Sequence, residues 1–367
     1  MSSAGRAFSD RRDGRSWITL VVLLALTAAV LLIAPALSPQ LEGPTATAGI
    51  NMVLAVGLYT FVGTTGIMSF GHMAYMALGA YAGAILATPV ATKELLSAGM
   101  PAWASGVHLP TVPAILAGAA VAALFAAVVS FPLMRLRGLV ASLATFAILN
   151  VVHNVATNWT ALTGGVVGFT GAPITTTPRS ALVWALVAIV AGFLFRESRV
   201  GLRLRASRED EIAALGAGLD VRRDRRVAMV VSGFIVGVGG ALTALQLGQF
   251  TPDAFYLTTT FLVIVIVVVG GVNSLSGAVI GTLLISAVGY VLQLAQQGDV
   301  LGVYSFGGRA GIEDAGLAVL VLAVLLLRPR GLLGSKEIGE LRPPRSRGRP
   351  RVGTRRSAPQ PTQHEPA

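Results

Sequence analysis

The chain has 367 residues, of which 54% are hydrophobic, 12% are charged and none is cysteine, with a formal net charge of +11. That charged fraction is about half of what a soluble domain carries, so the composition belongs to a chain solvated by lipid, and the missing cysteines remove disulfides, thiolate chemistry, Cys-ligated zinc and iron–sulfur clusters. The basic residues stand in short clusters between long apolar runs, which argues against nucleic-acid binding and fits the positive-inside pattern of membrane proteins.

A span needs about 20 apolar residues to cross about 30 Å of hydrocarbon. Ten runs qualify, at 17–34, 47–65, 72–90, 112–134, 139–157, 180–195, 227–248, 258–272, 277–296 and 313–327. The first follows a basic segment and is longer than the ~7–15 residues of a signal-peptide core, so it reads as an uncleaved span. Between the second and third runs, Gly63–His72 mixes glycine with hydroxyl groups, and Gly270–Gly277 does the same between the eighth and ninth. Paired interruptions of this kind are either broken helices lining a solute pathway or ordinary turns. The residues leave both readings open. On the pathway reading the candidates are Ser69, Gly71 and His72, then Thr163, Gly164 and Gly165, then Gly270, Gly271 and Asn273. The pairs Gly79/Gly83, Gly233/Gly237 and Gly277/Gly281 each place two glycines on one helix face, where they serve close helix packing.

The runs hold almost no ionisable residue. His72 and His153, with Asn150 and Asn154 as neutral company, are the available groups, Glu313 and Asp314 lie at the mouth of the last run, and a lone histidine at a helix end is more often structural than a proton relay. Gradient coupling therefore has no site here. Catalytic motifs are also missing, and Gly331–Lys336 has too few residues between its glycines for a phosphate loop. The chain is expected to be neither an enzyme nor an ATPase, with no cofactor of its own. The four histidines stand too far apart in sequence to support a metal site.

Lysine and arginine set the orientation. Four arginines precede the first run, Arg135 and Arg137 follow the fourth, nine lie in 196–226, and ten basic residues follow Leu327, leaving only Lys93, Arg179 and Arg309 on the other side. Both termini then face the cytoplasm. The expected organisation is a cytoplasmic segment 1–16, a membrane domain 17–334 containing the cytoplasmic loop 196–226, and a disordered basic tail 335–367 rich in proline, arginine and serine.

The 196–226 loop is the most informative stretch. Ser207 followed by Glu209, Asp210 and Glu211 reads as a helix start, Ile212–Leu215 as its body, and Gly216 or Gly218 as its end. A short helix with a small alanine face suits docking into a groove on a partner.

That spacing, Arg208-Glu209-Asp210-Glu211-Ile212-Ala213-Ala214 followed by Gly218, resembles the coupling helix of the branched-chain amino-acid ABC importer permeases, the LivM-like subfamily, although Ile212 stands where the general signature has glutamate. Gly66–His72 with Gly79, Ala80 and Tyr81, Leu136–Leu139, Asn158–Gly165, Gly270–Gly277 and Arg328–Leu332 resemble further segments of that family in order, over about residues 45 to 334. Asn150 and His153 depart from it, standing where the family often carries a glutamate and an arginine. The resemblance implies an all-α, polytopic transmembrane bundle of about ten spans in the bacterial inner membrane. It implies a second related permease, cytoplasmic ATP-binding subunits docked on Arg208, Glu209, Asp210, Glu211, Ala213, Ala214 and Gly218, and an extracytoplasmic solute-binding protein. The implied activity is alternating-access import of branched-chain amino acids driven by the partner's ATP. Urea or another small neutral solute is the alternative cargo, and a passive channel is the rival of another class.

Overall fold

The computed structural model describes residues 3–96, 100–136, 138–297, 311–328, 331–334 and 337–338. Most of them are helical. The helices are α1 Ser3–Leu37, α2 Glu42–Thr65, α3 His72–Ala87, α4 Val90–Leu96, α5 Ala102–Ser105, α6 Thr111–Leu133, α7 Gly138–Asn158, α8 Thr160–Thr163, α9 Pro178–Glu197, α10 Arg199–Glu209, α11 Glu211–Gly216, α12 Val221–Leu247, α13 Leu257–Gly270, α14 Leu275–Gln297 and α15 Ile312–Leu327. Among the described residues eight helices are long and apolar enough to cross a membrane, and two shorter apolar helices, His72–Ala87 and Ala315–Val324, occupy the third and tenth expected runs. Every expected span therefore coincides with an apolar helix.

The helices sort into an inner and an outer set. In α2, 89% of the span is buried within the protein, and in α12 72%, against 22% in α1 and 28% in α7. The inner helices approach closely because their facing residues are small. A methyl group on Gly79 of α3 would lie 2.6 Å from the Gly237 Cα of α12, and one on Gly118 of α6 would lie 2.6 Å from the Gly79 oxygen. No side chain fits in such a gap, so α3, α6 and α12 meet backbone to backbone along a glycine and alanine seam. Gly277 of α14 meets the Gly270 oxygen of α13 in the same way.

The two ends of the bundle differ. At one end lie the turns 66–71 and 271–274, the turn after α6, and the charged helices α10 and α11. At the other, β1 Phe169–Thr170 pairs antiparallel with β2 Gln249–Phe250, with Phe169 opposite Phe250. Phe250 sits 5.7 Å from Phe169, 5.4 Å from Phe255 and 5.1 Å from Tyr81, ring centre to ring centre, so an aromatic knot closes this end. Lys93, in the connection after α3, is buried and donates to the carbonyls of Ala104 at 2.9 Å and Val107 at 2.6 Å, and its burial lowers its pKa.

The expected tail, 335–367, lies outside the described residues except for Glu337 and Ile338. Those two are packed. Leu332 and Leu333 donate backbone hydrogen bonds to the carbonyls of Val269 and Gly270, at 2.8 Å and 3.2 Å, which lays the strap 331–334 across the end of α13. Glu337 then reaches into the N-terminus of α14, accepting from the amides of Leu275 at 2.9 Å and Ser276 at 3.1 Å and from the Ser276 hydroxyl, while Arg196 Nη1 at the end of α9 lies 3.0 Å from its carboxylate. Glu337 and Ile338 thus pack against the bundle.

Candidate functional site: the basic end of the bundle

The charged loop is two helices held rigidly against the bundle. Ser198 caps α10, its hydroxyl accepting from the Gly201 amide at 3.1 Å. The expected helix start at Ser207 is corrected: Ser207 lies inside α10, its hydroxyl donating to the Leu204 carbonyl, and the cap of α11 is Asp210, whose carboxylate accepts from the Ala213 amide at 2.9 Å. A carboxylate makes the better cap because it also complements the positive end of the helix. Gly218, at φ +77°, ends α11. Leu219 N–H reaches the Ala214 oxygen at 3.1 Å and Gly218 N–H the Leu215 oxygen at 3.0 Å, which is a Schellman closure.

Neighbouring residues of α12 fasten this unit. Asp224 takes a bidentate bond from Arg203 of α10, both contacts at 2.7 Å, and Arg225 pairs with Glu211 at 3.0 Å. Burial, and after it the charge of Arg196, lowers the pKa of Arg205 on α10. With its base fixed, α11 turns Ala214 inward, leaves Ala213 and Leu215 exposed, and leaves Ile212 84% exposed. Ile212 and Leu215 are thus both displayed to solvent on one short capped helix.

Arg208 joins this unit to the two interrupted segments. Its Nη1 donates to the Gly63 carbonyl at 2.6 Å and to the Asn273 amide oxygen at 2.8 Å, while Nη2 reaches Glu209 at 3.2 Å. Both segments are therefore turns at the basic end, between α2 and α3 and between α13 and α14. Ser69, Gly71, His72, Gly270, Gly271 and Asn273 gather there. Thr163, Gly164 and Gly165 do not join them. Thr145 of α7 accepts from the Phe70 amide, whereas Thr163 donates to the Ala156 carbonyl eleven residues further along the same helix, which is about 16 Å away at 1.5 Å per residue.

His72 has both ring nitrogens engaged. The Ser232 hydroxyl spends its proton on the Gly57 carbonyl at 2.6 Å, so His72 Nε2 must donate to Ser232 at 2.8 Å, and Nδ1 must accept from Ser69 at 2.7 Å. This fixes a neutral tautomer in a closed network, which is a structural role. Replacing His72 with alanine leaves two buried hydroxyls short of a partner and is expected to cost about 1–3 kcal/mol. A thermal-melt series measures that cost, and the pH dependence of wild-type solute uptake is expected to survive in His72→Gln.

Sequence reasoning missed three features. Asp224 and Arg225 look like ordinary loop charges, Glu337 sits in a stretch that reads as tail, and Asn150 and His153 meet partners from a distant loop. Tyr256 donates to Asn150 at 2.6 Å and stacks on the His153 ring at 4.0 Å, and His153 Nε2 lies 3.5 Å from Asp253. The spacing of α7 does place Asn150 and His153 on one face, a usable signal.

A family model described as branched-chain amino acid transport system / permease component matches residues 40–327. The high-affinity branched-chain amino acid transport system permease protein LivM of Escherichia coli (strain K12) is 26% identical over 318 residues, covering 77% of this chain and 68% of that protein. The probable branched-chain amino acid transport permease protein LivH of Methanocaldococcus jannaschii is 25% identical over 316 residues, 80% of this chain and 91% of that one. The D-allose transport system permease protein AlsC of Escherichia coli (strain K12) is 25% identical over 236 residues, 62% and 70%.

Proposed function

The chain belongs to the family of branched-chain amino acid transport system permease components, and from that premise we propose that it is the membrane-spanning subunit of an ATP-driven importer for branched-chain amino acids. The carrying observation is α11, a capped helix pinned by Arg225 and presenting Ile212 to solvent. In this reading an ATP-binding subunit docks on α11 and on the exposed parts of Arg208, Glu209, Asp210 and Glu211. Both termini face the bacterial cytoplasm and the aromatic knot faces outward. A second, related permease completes the path, and a solute-binding protein delivers cargo to the outer end.

The chemistry follows from the geometry. A displaced α11 pulls on Arg208, and Arg208 holds the turn behind α2 and the turn before α14 together. ATP-driven closure of the docked subunits therefore acts on two helical hairpins through one guanidinium. A zwitterionic amino acid needs no net charge in its path, which suits spans this poor in ionisable groups. The D-allose relative supports a sugar as the competing cargo.

Purification of the chain from its native membrane in mild detergent is expected to bring down an ATPase subunit and a second permease. Proteoliposomes holding the assembly are expected to take up leucine, isoleucine or valine with ATP and not D-allose. Ile212→Asp, which puts a carboxylate on the docking face without touching the bundle, is expected to lower uptake at least about tenfold, a loss of about 1.4 kcal/mol of coupling, with expression unchanged. Normal uptake in that variant with the ATPase bound removes α11 as the coupling helix.

A further inference from the structure

The basic end carries a second feature that transport does not account for. Between α6 and α12 lies an open groove of about 380 Å³ with Ala127, Val230 and Val231 in its wall and Arg223 and Arg226 at its rim. A smaller recess of about 180 Å³ adjoins it, lined by Phe131, Met134, Arg135, Arg222 and Arg226. Phe131 and Arg226 border both, and the Arg226 guanidinium lies 4.8 Å from the centre of the Phe131 ring. That stacking holds one guanidinium over the junction of the apolar and the charged compartment.

Among the described residues the charges around the recess are uncompensated. Asp224 is committed to Arg203, and the Asp220 carboxylate to the Arg223 amide at 3.0 Å. Among the described residues no carboxylate lies within ion-pair distance of Arg135, Arg222, Arg223 or Arg226. Ser130, the polar uncharged residue of the groove lining, is buried and its hydroxyl donates to the Ala127 carbonyl at 2.6 Å. Below Phe131 the same face of α6 continues with exposed Val128 and Leu124, toward the middle of the span. An anionic group above and hydrocarbon below is the shape of one molecule class.

We propose that this groove binds an anionic phospholipid, with the headgroup phosphate among Arg135, Arg222 and Arg226 and an acyl chain along α6 and α12. Four arginines converge where the apolar part of both helices begins, which is the depth of the phosphate layer. Arginine suits the site because its planar fork can take two phosphate oxygens at once. The site stands apart from any solute and needs only that the chain lies in a membrane.

The test is native mass spectrometry of the full chain purified in mild detergent, with whatever subunits accompany it, titrated with phosphatidylglycerol and with phosphatidylcholine. Saturable binding of phosphatidylglycerol is expected, with phosphatidylcholine at least tenfold weaker. Each of Arg135→Gln, Arg222→Gln and Arg226→Gln is expected to weaken phosphatidylglycerol binding about fivefold, as a charge near an anionic surface contributes. Val230→Trp, which fills the groove and keeps all four arginines, is the independent variant and is expected to weaken binding as well. Equal affinity for the two lipids, or full affinity in all three single glutamine variants and in Val230→Trp, overturns the proposal. Displacement of the lipid by an equal concentration of inorganic phosphate also overturns it in favour of a free-anion site. Exclusion of lipid by a second permease seated on α6 and α12 overturns it in favour of a subunit interface.

Discussion

Glu337→Ala is expected to abolish accumulation of folded protein, or to lower its melting temperature more than any surface substitution at the same end. The carboxylate is 3% exposed and does three things at once. It lies closest to the buried Arg196, it caps two backbone amides of α14, and it accepts from Ser276. Removing it takes from Arg196 a carboxylate at 3.0 Å, the Glu197 carboxylate standing at 3.7 Å, and takes the acceptor from the Leu275 and Ser276 amides, while Ser274 still caps the Gly277 amide at 3.1 Å. Breaking a buried pair from one side costs about 3–5 kcal/mol, because the remaining charge stays in a poorly solvated place. Glu337→Ala combined with Arg196→Met is expected to recover part of that loss. Detergent thermal melts of the single and double variants measure both effects. A single variant as stable as wild type removes the strap from the fold.

The second large effect is steric. Gly79→Leu places four carbons where the Gly237 backbone already stands, and no rotamer escapes, because the obstacle is main chain. Overpacking a well-filled core costs about 1–3 kcal/mol, and more where a whole helix must move. The seam also joins α6 through Gly118, so separating α3 from α12 opens two interfaces. Expression followed by gel filtration is expected to show aggregate or nothing for Gly79→Leu, and near-normal protein for Leu78→Ala one position away, which sits at the edge of the packed core. A monodisperse Gly79→Leu protein removes the seam from the account.

What the sequence made legible follows from the range of each interaction. The ten apolar runs were readable because hydrocarbon solvates residues one at a time, so length and composition suffice. The glycine pairs were readable because their spacing is local to one helix. The end of α11 at Gly218 was readable for the same reason. Its start was misplaced by three residues, since Ser207 and Asp210 are both good caps and only the exit angle of α10 decides between them. The nature of the two interrupted segments was undecidable, because it depends on Arg208, which lies 145 residues from Gly63 and 65 from Asn273. Glu337 was invisible for a compositional reason: a few acids scattered in a basic, proline-rich stretch carry no pattern. The pathway residues split the same way, since no local feature of Thr163–Gly165 tells that it stands about half the length of α7 from the turn that holds Ser69.

One guanidinium nitrogen serving two turns has a thermodynamic consequence. Gly63 and Asn273 belong to hairpins far apart in sequence, yet their separation is limited by the reach of a single Nη1. Any arrangement in which the α2–α3 and α13–α14 hairpins draw apart must give up one of the two bonds. A charge-assisted bond contributes about 1.5–3 kcal/mol, which is a factor of about ten to a hundred in population. Arg208 therefore acts as a weight on the balance between the closed spacing and every wider one, and adds its share, on top of the direct packing of α2 against α14, to the work an external push must supply before the two hairpins part.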